Sequence, residues 1–372
     1  MKQKPLNALL YLATVACSFV LPSLGYATAH IGKWHLGGGE FLPEHQGFDT
    51  NIAGGKTGHP ASYFWPYGAP ENSHRVPGLA ERAGKPGDYL TDQLTDEALL
   101  FIEANKGKPF YLNFAHYAVH APLQGKAELI ELAGERPGAD GQSNTVYAAM
   151  LRSVDESVGR IVKKLDELHL ADHTLIVFTS DNGGAVHFGT PPATSNSPLR
   201  DGKGSAYEGG LRVPLLVKMP GVAPAGSTCD TPVITMDFFP TLLELAGADK
   251  SASRTAVDGV SLVPLLHGEK TLPRKELFWH YPHYWNGGKV SLYSVARVGE
   301  WKLIRFYETG REELYNLKSD LSEQDDLAAS NTEKQKELSA RLRAWLKEVG
   351  AQMPVTNPES VRRTAITNVN AK

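Results

Sequence analysis

The sequence predicts an α/β domain built on a mainly parallel sheet, followed by a small antiparallel sheet closed by a helix. Three observations predict it. Helix-like and strand-like segments alternate between Leu90 and Ala246, the pattern of units that pair their strands in parallel under covering helices. After about Thr271 the segments turn into short alternating strands with tight turns at Gly299-Glu300 and Thr309-Gly310. The 372 residues are 41% hydrophobic and 21% charged with a net charge of −3, which is the composition of a folded chain and not of a disordered one.

Taken in order, Leu90 to Ala104 reads as a helix and Pro109 to Phe114 as a strand. Between Ser143 and Leu170, apolar residues recur at Tyr147, Met150, Leu151, Val154, Val158, Ile161, Val162, Leu165 and Leu168. Arg152, Asp155, Lys163 and Asp166 take the opposite face, so the spacing predicts an amphipathic helix. Thr174 to Thr179 is a short β-branched apolar run of the kind buried in parallel sheets. Val213 to Lys218 is a further strand, ahead of a helix from Asp237 to Ala246. Strands at Tyr293–Val298, Trp301–Phe306 and Glu313–Leu317 follow, then a helix from Asn331 to Val349 and a polar tail.

Composition also excludes classes. The balanced charge offers no basic face for a nucleic-acid backbone. No apolar run beyond the N-terminus approaches the roughly 20 residues of a membrane span. Cys17 and Cys229 are the two cysteines, too few for a disulfide framework or a thiolate cluster. The N-terminus reads as an export signal over residues 1–29: Lys2 and Lys4, a mostly apolar Leu9 to Leu24, then Ala27-Thr28-Ala29 as a small-x-small cleavage site. This predicts a periplasmic or secreted protein. Thr14-Val15-Ala16-Cys17 is a weaker match to a lipoprotein box, since it lacks the leading Leu.

Three polar clusters fall where the alternation puts loops at strand ends, the place where ligands gather in such folds. Gly32-Lys33-Trp34-His35-Leu36-Gly37 sets a Lys and a His two apart in a glycine-bounded turn. His116 to Pro122, with His120, follows the first strand directly. Ser180-Asp181-Asn182-Gly183-Gly184 follows the Thr174–Thr179 run, with Gly202-Lys203-Gly204 and Tyr207 to Pro214 behind it. A carboxylate beside an amide oxygen suits a hard cation such as Ca²⁺ or Mg²⁺. Glycine-flanked lysines can approach an oxyanion, and a His can protonate a leaving oxygen. Each piece alone is also an ordinary turn, solvated loop or packing residue. It is their set and order that carry meaning.

Together these segments resemble the sulfatase family, sulfuric ester hydrolases with an alkaline-phosphatase-like sandwich. Gly25 to Gly37 is similar almost residue for residue to the family's second signature, and the likeness extends to about Leu327. The resemblance implies a catalytic domain over 25–270, an antiparallel subdomain over 271–350 and a tail over 351–372. It implies that Asp181 and Asn182 are metal ligands, normally for Ca²⁺. By the same resemblance Lys33 and Lys203 contact sulfate oxygens, His35 hydrogen-bonds the nucleophile, and His120 is the general acid. His59, Ser62 and His283 are then candidates to line the substrate pocket, and the partner is a sulfated small molecule or glycan, not a nucleic acid.

The chain also departs from the family pattern. The family's first signature, Cys or Ser-x-Pro-x-Arg, whose Cys or Ser becomes formylglycine, does not occur in the 372 residues. The two adjacent aspartates that, upstream of that signature near the start of the mature chain, complete the family's metal site are likewise missing, and the first Asp is Asp49. These departures predict a domain truncated at its N-terminal part, an incomplete Ca²⁺ site and a chain inactive as written. A non-catalytic binder of sulfated ligands is the alternative. A phosphatase or phosphodiesterase of the same superfamily is a further one, disfavoured by Gly-Lys-Trp-His-Leu-Gly.

Overall fold

The computed structural model describes residues 17–355 apart from 70, 80–81, 83, 136–137, 190, 249–256 and 285–290. The chain divides into two units, Met1–Thr179 with Leu215–Pro273, and Ser180–Pro214 with Arg274–Lys372.

In the first unit, β1 (Ala27–Gly32) is the middle strand of a parallel sheet, flanked by β2 (Thr50–Ile52) and β3 (Phe110–Ala115). Ala27 through Gly32 pair in step with Phe110 through Ala115. All six β1 residues are buried. Ala29 and Ile31 belong to a core shared with Tyr63, Tyr89 and the apolar face of α1 (Leu90–Ala104). Thr28 is tied at its amide and its hydroxyl to Asp49 Oδ2, at 2.9 and 3.1 Å. Helix α2 (Ala127–Gly134) and helix α3 (Thr145–Glu167) follow. Asn144 caps α3 by accepting from the Tyr147 amide at 2.9 Å. The α1–α3 contact includes a buried hydroxyl pair, Thr95 with Ser157, at 2.6 Å.

Two expectations are corrected here. Ala27-Thr28-Ala29, read as a cleavage site, lies in the sheet's middle strand, so cleavage after Ala29 would cut β1 in two. The small residues serve close strand packing instead. Just upstream, Cys17 and Ser18 are buried, and the Ser18 hydroxyl donates to the Gln46 carbonyl at 2.6 Å. The rest of the predicted signal, residues 1–16, lies outside the described residues. The second correction concerns β4 (Ile176–Thr179) and β5 (Leu215–Lys218), expected as buried members of the parallel sheet. They pair with each other, antiparallel, as a separate ribbon. Val177, Phe178 and Leu216 are 37%, 40% and 59% exposed. An apolar run reports that a strand wants cover, and not which strand runs beside it or in which direction. Helix α4 (Phe238–Leu245) follows the ribbon and packs Phe238 with Leu262 and Leu272 in a small core of its own.

In the second unit, β6 (Glu276–Tyr281), β7 (Tyr293–Val298), β8 (Trp301–Phe306) and β9 (Glu312–Asn316) form an antiparallel sheet in chain order. Helix α5 (Thr332–Glu348) lays Leu338, Leu342 and Leu346 against Ala296, Leu303 and Leu314 on one face. The other face packs Val295, Ile304 and Tyr315 against Ala206 and Tyr207. That contact is why Ser180–Pro214, expected within the catalytic part, groups with the C-terminal sheet. Among the described residues no helix is long and apolar enough to cross a membrane.

Candidate active site

In the first unit the chain leaves β1 through Gly32, whose φ is +105°. A Cβ there would lie 1.9 Å from the Ala115 carbonyl oxygen, so only glycine lets the strand turn out beside β3. Lys33 comes next, its amide donating to that same carbonyl at 2.7 Å. Trp34 is buried against Phe48 and donates its indole N–H to the Phe41 carbonyl at 2.8 Å. His35 is thereby turned outward with φ of +57°, its amide bound to the Gly55 carbonyl at 2.9 Å. Its ring sits on Gly58, where an added Cβ would come within 2.4 Å of it. Lys33 and His35 therefore project from a turn whose backbone is fixed on both sides.

The loop after β3 places His120 at the same end of the sheet. Its ring stacks on His59 at 5.6 Å, and His59 stacks on His74 at 4.1 Å. His59, twenty-four residues beyond His35 in sequence, is thus brought to His120. His74 had no signal in the sequence. The Ser62 hydroxyl accepts from the Phe64 amide at 3.0 Å and donates to Gln124 Oε1 at 3.3 Å, fastening the loop. His116 packs on Phe114, and burial holds its pKa down to about 4, so it stays neutral. His30, behind the turn, is held down to about 4 by the same cause.

In the second unit two glycine loops interlock. Gly183 lies so close to the Gly209 carbonyl that a Cβ would be 1.6 Å from it, and its amide donates to the Gly210 carbonyl at 3.2 Å. Asn196 joins the loops: its Oδ1 accepts from the Gly184 amide at 3.0 Å, and its Nδ2 donates to the Gly184 and Asp201 carbonyls at 3.0 and 2.8 Å. The Lys203 amide in turn donates to the Gly184 carbonyl at 3.1 Å. The Asp181-Asn182 turn and the Lys203 turn are therefore neighbours, joined by Asn196, which carried no signal in the sequence. Below them Glu208 is buried with Lys302 and Glu323, and Lys302 Nζ lies 2.8 Å from a carboxylate oxygen of each. Burial pushes the Glu323 carboxyl up and the Lys302 ammonium opposes it. Arg200 lies over the Tyr207 ring at 3.8 Å and donates to the Glu323 carbonyl at 2.6 Å. His283, after β6, packs on Tyr281 at 4.3 Å.

Residues 19–248 match the family profile of sulfatases. The chain belongs to the sulfatase family. Residues 202–352 match a second profile, the C-terminal part of N-sulphoglucosamine sulphohydrolase. A sulfatase of Formosa agariphila is 31% identical over 88% of this chain and 68% of its own length. Human N-acetylgalactosamine-6-sulfatase is 34% identical over 72% of the chain, and the match spans 53% of the human protein. Human arylsulfatase A is 32% identical over 80% of the chain and 59% of its own length. The chain thus spans roughly half to two thirds of these relatives. Among solved structures, Ps i-CgsB in complex with a neocarrahexaose is 29% identical with a TM-score of 0.72, covering 88% of this chain and 73% of that one.

The family's calcium does not fit the residues here on their own. Asp181 is exposed, and Asn182 donates its Nδ2 to the Gly183 carbonyl at 2.9 Å. Ca²⁺ takes six to eight oxygens, and among the described residues no group of three His, Cys, Asp or Glu could hold a metal ion. Asp181 and Asn182 amount to two donors.

Proposed function

We propose that this sulfatase-family protein acts on sulfate esters, and that the 372-residue chain by itself binds them without turning them over. The observation that carries the reading is the Gly32–Gly37 turn, which fixes Lys33 and His35 at the end of the parallel sheet where His120 and His59 also lie. Lys33 in the first unit, and Lys203 in the second, are each assigned positive charge for sulfate oxygens, the role the family resemblance gives them. His120, its ring stacked on His59, would give its proton to the leaving oxygen, and His35 would hydrogen-bond the attacking hydroxyl, only where a nucleophile is supplied. The chain's 372 residues hold no Cys or Ser in the Cys/Ser-x-Pro-x-Arg context, and this favours binding without turnover. The relatives named above support aryl or carbohydrate sulfates as the substrate class, and the basic, apolar N-terminus supports an exported protein.

Calorimetry with 4-nitrophenyl sulfate tests the reading. Lys33→Ala and Lys203→Ala are each expected to weaken binding about tenfold, about 1.4 kcal/mol. Unchanged binding in both would refute the assigned contacts. In the same instrument Ca²⁺ is expected to bind no tighter than micromolar, and a submicromolar affinity would contradict the donor count.

A further inference from the structure

Strand β6 and the segment after α5 meet in a hydrogen-bonded line that the sulfate contacts do not use. His280 Nε2 lies 2.8 Å from the Gln352 carbonyl oxygen, and His280 Nδ1 lies 2.7 Å from Ser294 Oγ. Ser294 Oγ in turn lies 2.6 Å from the Tyr307 hydroxyl. A carbonyl oxygen only accepts, so Nε2 carries the ring proton. Nδ1 of the neutral ring then accepts from Ser294, and Ser294 accepts from Tyr307. A Ser–His pair at this distance is also the arrangement of nucleophilic catalysis, but Ser294 is wholly buried and no ester can reach it. What remains for the line to do is to hold Gln352, which follows α5, against the sheet.

The charges around the ring decide how it answers acid. His280, Ser294, Arg305 and Glu312 stand opposite one another across β6 to β9, on the face that α5 covers. Glu312 is three strands away, about 14 Å, and meets Arg305 at 3.6 Å and the Ser339 hydroxyl at 2.8 Å. Arg343 of α5 donates to that same hydroxyl. Glu276, at the far end of β6, pairs with Arg341, and the exposed Glu308 takes the Tyr284 hydroxyl at 2.6 Å. Facing the ring are His283, just past β6, and Arg305, 6.0 Å over the Tyr307 ring. Neither can neutralise an added proton. A proton arriving at Nδ1 reverses the line: Nδ1 donates to Ser294, Ser294 to Tyr307, and the phenol proton turns outward. Burial and His283 together oppose that charge. We propose that His280 is an acid-sensitive latch: neutral, it holds the Gln352 carbonyl at β6, and protonated, it turns to water and releases residues 350–355 while the sheet stays folded. The closed form refuses a proton that the open form accepts near the ordinary pKa of 6.5, so closure weakens as pH falls through that value.

Hydrogen exchange of the full chain at pH 7 and pH 5, corrected for the intrinsic pH dependence of exchange, tests this. The amides of Gly350 and Ala351, bonded to the Lys347 and Leu346 carbonyls at 3.2 and 2.9 Å, are the reporters. Their protection is expected to fall about fivefold at pH 5, while amides of β7 and β8 keep theirs. His280→Gln can still donate to Gln352 and accept from Ser294 but does not titrate, so its protection should be the same at both pH values. Protection in the native chain that does not change with pH, or an equal fall in His280→Gln, would overturn the latch. NMR titration of the His280 ring gives a second reading that does not depend on that variant folding. In the native chain the ring should titrate below the ordinary imidazole range, and His283→Gln, which removes a facing charge, should move it upward. A native titration at or above the ordinary range, or one that His283→Gln leaves in place, would likewise overturn it.

Discussion

In the first unit the site histidines stand partly exposed at the end of a parallel sheet, held by backbone hydrogen bonds and ring stacking. In the second, the Lys203 loop is anchored through Glu208 to charges buried against an antiparallel sheet. The contrast separates two ways of fixing a polar site. Stacked rings and glycine contacts cost little to form and little to lose, because water can replace what a missing ring covered. A buried Glu–Lys–Glu cluster depends on its central Lys, since removing that leaves two carboxylates without their shared ammonium away from water. The second unit should therefore break at a single side chain, and the first should yield to acid.

The largest effect is expected from Lys302→Met. Glu208 and Glu323 would then face each other without the ammonium, costing about 3–5 kcal/mol. Urea unfolding followed by hydrogen exchange should show the loss in peptides from Tyr293 to Asn316, while peptides of β1 keep their protection. Equal loss in both units would undo the contrast.

Acid should act on the first unit. The pKa of His30 lies near 4 when folded against an ordinary 6.5. Between those values the unfolded chain takes up a proton that the folded chain refuses, so stability falls as pH drops through 6.5 and levels off below 4. By pH 5 this amounts to about 2 kcal/mol for His30, and His116 shares the direction. Unfolding midpoints at pH 7 and pH 5 measure it, and a first unit no weaker at pH 5 would sink the idea.

A smaller effect is expected from Asn196→Ala. It deletes three hydrogen bonds that join the Asp181 and Lys203 turns, for about 1–2 kcal/mol of stability. Binding of 4-nitrophenyl sulfate should weaken more than folding does. Intact binding in this variant would mean that the Lys203 turn is held by the buried charges alone.

The sequence was most legible where one physical signal dominates. Leu90 to Ala104, read as a helix, is α1 with the same ends, and its Leu90, Leu94, Ala98 and Ile102 face the core. β1 was missed because Ala-Thr-Ala-His has no apolar alternation. Its burial comes from having a strand on either side, which is a tertiary fact. β4 and β5 were read as strands but given the wrong neighbours, since hydrophobicity does not encode strand direction. Among the candidate residues, Lys33, His35, His120 and Lys203 were legible as motif residues in glycine-rich or strand-end loops. His74 and Asn196 were not, because a ring stacked across fifteen residues and an amide spanning two loops leave no local pattern.

The proposed reading is a division of labour in which this chain's residues hold a sulfate ester and none of them attacks it. Incubating the purified, folded 372-residue chain with 4-nitrophenyl sulfate, under conditions where calorimetry shows the ester bound, tests this directly. The account predicts bound ester and no release of nitrophenolate above the buffer rate. Turnover that Lys33→Ala abolishes would show a nucleophile within these residues and contradict it.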